Sequence, residues 1–115
     1  MYPKDDVEHL KEYRGEFKAG QRSGEGTLHW KDGGCYNGQW LNDKLHGHGV
    51  FTREGYTYTG QYKNGLKDGD GTLEYPYDSP YLEYVGSFLE GMRHGQGRLT
   101  YKNEESYNGQ WWCDR

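Results

Sequence analysis

Aromatic residues and glycines alternate with polar residues along the chain, and the pattern recurs every 22–26 residues. Residues 13–17 read Tyr-Arg-Gly-Glu-Phe, which places two rings and a glycine on one face and two charged residues on the other. A period of two is typical of a β-strand that buries one face. The pattern therefore predicts a series of short, half-buried strands.

Each unit of the pattern has two halves. The first half, Tyr-x-Gly-x-ring, begins at Tyr13, Tyr36, Tyr58, Tyr84 and Tyr107. The second half, Gly-x-Gly-x-apolar, ends at Leu28, Phe51, Leu73 and Leu99. Two strands joined by a tight turn form a hairpin, and consecutive hairpins form an antiparallel meander. The predicted fold class is therefore all-β, a single-layer antiparallel sheet of repeated hairpins with the twist that sheets normally have.

Glycine positions refine this prediction. All but Gly33, Gly34 and Gly55 of the nineteen glycines fall in repeat columns. The column Gly20, Asp43, Gly65, Gly91 lies between the two halves of each unit, and we expect a positive φ there, which Asp tolerates better than most residues. Glycines within the strands are expected to let neighbouring rings lie flat across the backbone. Within the third unit, the two prolines in residues 76–80 predict a stiff, protruding loop.

The composition indicates an aromatic core. Only 31% of residues are hydrophobic, but 17% are aromatic and the net charge is only −4, so the chain does not resemble a disordered one. A single layer needs something to cover its apolar face. We expect the sheet to curl into an aromatic groove that binds a helix or extended peptide of a protein partner. The expected groove residues are Tyr36, Trp40, Tyr58, Tyr62, Tyr84, Phe88, Tyr107 and Trp111. The alternative interpretation is that these rings pack on one another as a core.

One basic residue per unit lies near the hairpin turns: Arg22, Lys44, Lys67 and Arg93. Such a row could contact anionic lipid headgroups or an acidic partner. The alternative is a solvated edge, since acidic residues such as Asp43 and Glu90 lie nearby. The negative net charge argues against nucleic acid as a partner.

Residues of the types that act in catalysis or metal binding do not form a recognisable site in the sequence. His46 and His48 flank Gly47 without a further ligand at zinc spacing, and no Gly-x-Gly pair extends into a phosphate-binding loop. Cys35 and Cys113 occupy different columns of the repeat, so we expect neither a disulfide scaffold nor a thiol nucleophile. No catalytic residue, metal or cofactor is expected, and the cysteine usage favours a cytoplasmic compartment.

The repeat columns closely resemble the MORN (membrane occupation and recognition nexus) repeat over residues 13–112. The predicted array is 13–115, with units 13–35, 36–57, 58–83 and 84–106 and a partial unit 107–115. Residues 1–12 form a lead-in that resembles the tail of an earlier unit. Arg53 replaces a ring of the pattern, and we expect it to interrupt the aromatic face.

The resemblance implies a non-catalytic scaffold that joins other chains, or copies of itself, end to end. It implies a cytoskeletal or ciliary assembly of the radial-spoke kind. Two alternatives stay open. One is a peripheral membrane tether that binds anionic phospholipids or phosphoinositides, and the other is an accessory segment of a larger enzyme.

Overall fold

The computed structural model describes residues 10–114, and its side chains are described from Glu12 onward. It contains nine strands: β1 (Leu10–Lys18), β2 (Gln21–Trp30), β3 (Cys35–Leu41), β4 (Lys44–Arg53), β5 (Tyr56–Lys63), β6 (Leu66–Glu74), β7 (Tyr81–Leu89), β8 (Met92–Tyr101) and β9 (Ser106–Trp111). They form one sheet in which spatial order equals chain order and every neighbouring pair is antiparallel. This arrangement confirms the predicted meander. The predicted lead-in lies outside the described residues except for positions 10–12, which belong to β1.

A continuous row of glycines crosses the whole sheet. Gly15 pairs with Gly26, Gly26 with Gly38, and the same pairing continues strand by strand to Gly97 and Gly109. A side chain has no room here, because a Cβ built on an inner glycine would come within 3.0 Å of the facing glycine or of a tyrosine ring. The glycines therefore let rings lie against the backbone, as the sequence predicts.

The first glycine of each Gly-x-Gly pair has a different role. Gly24, Gly47, Gly69 and Gly95 all have positive φ, between 74° and 100°. The pairing register shifts beside each of them, so the second strand of every unit contains a bulge. A β-bulge of this kind favours glycine in the left-handed region. This bulge was not predicted from the sequence.

Two-residue turns close the hairpin within each unit. The turn residues Asn42 and Asp43 have φ of 50° and 68°, and Asn64 and Gly65 have 51° and 86°. Two positive φ angles are what a type I′ turn requires, and this turn matches the natural twist of a hairpin. The predicted positive φ at Gly20, Asp43, Gly65 and Gly91 is confirmed.

The proline-containing loop between β6 and β7 protrudes as predicted. Tyr77 at its tip is 98% exposed. The Lys102 ammonium donates to the carbonyls of Pro76 and Tyr77, and the Lys102 backbone N–H donates to the Pro80 carbonyl. These bonds fasten the loop to the turn that follows β8.

Candidate functional site

Most of the predicted groove rings are core residues. Tyr36, Trp40, Tyr58, Tyr62, Tyr84, Phe88 and Trp111 are all buried, and the most exposed of them is Trp111 at 9%. Only Tyr107, on the edge strand β9, is substantially exposed, at 46%. The alternative interpretation, that the rings pack on one another, therefore describes seven of the eight. A binding surface on this face therefore needs further residues beside these rings.

The seven buried rings and the exposed ring of Tyr107 form one zigzag along the sheet. Neighbouring rings meet edge to face, with centroids 5.1–5.5 Å apart. The order along the sheet is Trp40, Tyr36, Tyr62, Tyr58, Phe88, Tyr84, Trp111, Tyr107. Edge-to-face pairs stabilise by about 0.5–1.5 kcal/mol beyond the area that they bury. This contact series replaces the second layer that a sheet with one apolar face normally needs.

Each motif tyrosine is held by its own strand. The Tyr36 hydroxyl donates to the Gln39 carbonyl at 2.8 Å, and the tyrosine that opens every other unit makes the equivalent bond. The Trp40 indole N–H donates to the Gly26 carbonyl at 3.0 Å, and Trp111 does the same with Gly97 at 3.1 Å. The polar ends of these rings are thus satisfied, which allows their deep burial.

The fourth residue of the motif caps the bulge. Gln39 Oε1 accepts the His48 backbone N–H at 2.7 Å, and Gln61 Oε1 accepts that of Asp70 at 3.0 Å. The bulge removes the normal ladder partner of these N–H groups, and the side chain supplies the acceptor. Gln39 and Gln61 were not singled out from the sequence, although they share a repeat column with Glu16 and Gln110.

Burial changes the titration of the tyrosines. Burial raises the pKa of Tyr36, Tyr58, Tyr62 and Tyr84 above the ordinary value. The unfolded chain therefore loses these protons first, so the stabilisation is complete below about pH 10 and declines as the pH rises further.

We expect ultraviolet absorbance of tyrosinate to rise steeply in alkali, together with loss of the circular dichroism of the sheet. A gradual ionisation of all tyrosines near pH 10, with the sheet intact, would contradict this expectation.

Three of the four predicted bases lie over the rings. The Arg22 guanidinium is 4.8 Å from the Trp40 centroid, and that of Arg93 is 4.5 Å from the Trp111 centroid. Lys67 Nζ lies 5.6 Å from the Tyr58 centroid and 5.9 Å from that of Phe88.

Lys44 does not share this arrangement. It is exposed, and it lies one position before the residue that corresponds to Arg22, which is the buried Leu45. The four bases therefore do not form one equivalent row.

Arg22 and Arg93 form the same ion pair with the next turn. Arg22 Nε donates to Asp43 Oδ1 at 2.9 Å, and Arg93 Nε donates to Asp114 Oδ1 at 2.9 Å. In both cases the arginine backbone N–H donates to the same carboxylate oxygen. Each pair fastens one hairpin to the next.

Arg53 continues the aromatic face. Its guanidinium lies 5.1 Å from the Trp30 centroid and 5.0 Å from that of Phe51, and its Nε is 3.4 Å from Asp32. The expectation that Arg53 interrupts this face is therefore wrong. A planar guanidinium can lie over aromatic rings much as another ring would.

An open cavity of about 310 Å³ lies over β4, β5 and β6. Of the predicted site residues it contains Tyr58, Tyr62 and Lys67. Its other walls were not among the predicted site residues: Leu45, Phe51, Arg53, Glu54, Tyr56, Gly65, Leu66, Leu73 and Gly91. We call these twelve residues the central cavity. Tyr56 could have been predicted from the sequence, because it lies two residues before Tyr58 and so shares its face of the strand.

Within residues 10–114, no three histidine, cysteine or acidic side chains are grouped so as to hold a metal ion. No helix in that range has the length and apolar character needed to cross a bilayer.

Four segments match the MORN repeat family: residues 13–35, 36–56, 58–76 and 84–105. These segments cover most of the chain, which therefore belongs to the MORN repeat family. MORN repeats occur in scaffold and membrane-associated proteins, and the family is generally non-catalytic. A comparison with curated proteins finds no match.

Proposed function

We propose that this chain is a non-catalytic scaffold that binds a helix or extended peptide of another protein in the central cavity. The observation that carries the proposal is the cavity itself, an open recess over β4, β5 and β6 beside the packed rings. Its volume of about 310 Å³ accommodates the side chains of one or two anchoring residues.

Exposed apolar residues at the rim support a protein partner. Tyr56 is 43% exposed and Leu66 is 41% exposed, and both line the cavity. Aromatic and aliphatic groups around a concave centre are typical of the anchoring pockets of protein interfaces. The buried rings beneath them hold the cavity walls in place, so little conformational entropy is lost when a partner binds.

The ion pairs favour this proposal over the membrane tether. Arg22 and Arg93 already bind Asp43 and Asp114, which reduces the positive field that an anionic bilayer would meet. The net charge of −4 also disfavours binding to an anionic bilayer. By its family resemblance, the scaffold is proposed to act in a cytoplasmic, cytoskeletal or ciliary assembly and to associate with other chains or with copies of itself.

Peptide selection tests the proposal. A phage-displayed library of random linear peptides is selected on the folded chain, and the best peptide is measured by fluorescence anisotropy. The double variant Tyr56→Ala, Leu66→Ser is expected to raise its Kd about tenfold, since the variant removes the apolar rim.

The control is the double variant Val50→Ser, Val85→Ser. These valines are similarly exposed but lie on the polar face of the sheet. Equal losses in the two variants, or the absence of any selected peptide, would contradict the proposal. Flotation with phosphoinositide vesicles, and its loss on neutralising Arg22, Lys44, Lys67 and Arg93, would favour the membrane tether.

A further inference from the structure

Successive hairpins are joined by a backbone contact that repeats four times. The second turn residue of each hairpin donates its N–H to a carbonyl of the hairpin before it. The donors Asp43, Gly65, Gly91 and Asp114 bond to the carbonyls of Arg22, Leu45, Lys67 and Arg93, respectively, at 2.8–3.0 Å. We call each of these contacts between successive hairpins a step. The backbone is therefore alike at all four steps, and only the side chains differ.

The four steps differ in the charged side chains that they carry. The first and last steps pair an arginine with an aspartate, Arg22 with Asp43 and Arg93 with Asp114. The second step has neither charge, since it joins Leu45 to Gly65. The third step keeps the cation and loses the acid, since Lys67 faces Gly91.

Lys67 therefore lacks the acidic partner that Arg22 and Arg93 have. Among residues 12–114, no carboxylate oxygen lies within 4.0 Å of its ammonium group. The side chain is only partly exposed and lies over the rings of Tyr58 and Phe88. Burial lowers the pKa of Lys67, and the Asp114 carboxylate opposes this effect less strongly.

The position of the missing acid is open. A Cβ built on Gly91 meets a single neighbour, Leu66 Cδ2, at 3.9 Å. Gly91 and Lys67 both line the central cavity, together with Leu45, Phe51 and Leu73. An incoming carboxylate could therefore lie where Asp43 and Asp114 lie at the outer steps, with apolar walls on either side.

We propose that the central cavity binds an aspartate or glutamate side chain of the protein partner, flanked by apolar residues, and that Lys67 pairs with its carboxylate. This inference rests on the proposed function and specifies the partner's chemistry. A peptide carboxylate fits better than a bilayer. Of the two cations that line the cavity, Arg53 is paired with Asp32, so Lys67 suits a single acid between apolar residues, and the lining also includes the acidic Glu54. An anionic surface would instead need several exposed bases.

The test uses the selected peptides and their acidic positions. We expect the selected sequences to share an Asp or Glu between apolar residues. Changing that Glu to Gln, or changing Lys67→Gln in the protein, is expected to raise the Kd about tenfold, because each removes one charge-assisted hydrogen bond. Combining the two changes should add little, because both remove the same interaction.

Three further variants of the protein test the role of the Lys67 charge. Lys44→Gln makes the same charge change at an exposed site off the cavity and should leave the Kd unchanged. Lys67→Arg restores the residue type of the outer steps and should retain binding. Gly91→Asp supplies the internal acid and should weaken peptide binding about tenfold. Gly91 has a φ of 88°, in the same left-handed region that Asp43 occupies with a φ of 68°. Thermal unfolding of each variant verifies that it is folded.

The outcomes separate this inference from the proposed function. Peptides whose binding depends on Tyr56 and Leu66, but which bind Lys67→Gln equally well, would overturn the inference and still support the proposed scaffold function. Selected peptides without an acidic residue would do the same. If no peptide is selected, or if Lys67 is needed only for binding vesicles that contain phosphatidylserine, both proposals fail.

Discussion

Replacing Gly49 with alanine is expected to destabilise the folded chain by about 3 kcal/mol, because the new methyl group would overlap the Tyr36 ring. Gly49 lies in the glycine row and its φ is not positive, so the cost comes from the lack of space alone. Neither the Tyr36 hydroxyl, bonded to the Gln39 carbonyl, nor the Gly38 backbone opposite can move aside easily. Thermal unfolding should show a Tm decrease on the order of 10 °C or more.

Gly20→Ala is the matched control for this variant. Gly20 has a φ of 78°, and a Cβ built on it meets nothing within 4 Å. Its replacement should cost roughly 1 kcal/mol, the penalty for placing an L-residue in the left-handed region. Comparable losses at Gly49 and Gly20 would mean that the rings do not lie over the glycine row as described.

The second large effect is expected at Tyr84. Tyr84→Ala should cost about 3–5 kcal/mol, because the ring is fully buried and contacts both Phe88 and Trp111 edge to face. Chemical denaturation of the two proteins measures the difference in the free energy of unfolding.

Tyr107→Ala provides the comparison, since Tyr107 occupies the same repeat column. Its hydroxyl makes the same bond to its own strand, at 2.9 Å, but its ring is 46% exposed and contacts Trp111 alone. Its loss should cost about 1–2 kcal/mol. Equal costs at the two positions would show that the local hydrogen bond, rather than ring burial, holds the motif together.

Features that depend on local chain geometry were predictable from the sequence. The period-two pattern predicted the strands, and glycine together with Asp43 identified the turns, because both properties belong to a few adjacent residues. The MORN resemblance agreed with these signals. Where the sequence reasoning failed, the missing information concerned how two or more strands meet.

The bulge at Gly47 illustrates the limit. The sequence shows a glycine, but a register shift exists only between two strands, so one strand's pattern cannot show it. The burial of the predicted groove rings has a similar explanation. Alternation places Tyr36 and Tyr84 on the apolar face, but their burial depends on rings from neighbouring hairpins. Lys44 was chosen as a site residue by its charge, whereas alignment of the turns would have given Leu45.

The identity of spatial order and chain order has a kinetic consequence. Every strand pairs with its neighbour in sequence, and each motif tyrosine bonds within its own strand, so these contacts join residues in the same or the adjacent hairpin. Short loops cost little entropy to close, and chains rich in local contacts fold quickly for their size. A hairpin formed anywhere in the chain presents a template for the strand on either side of it. Folding can therefore begin at any unit and spread in both directions, without one obligatory nucleus.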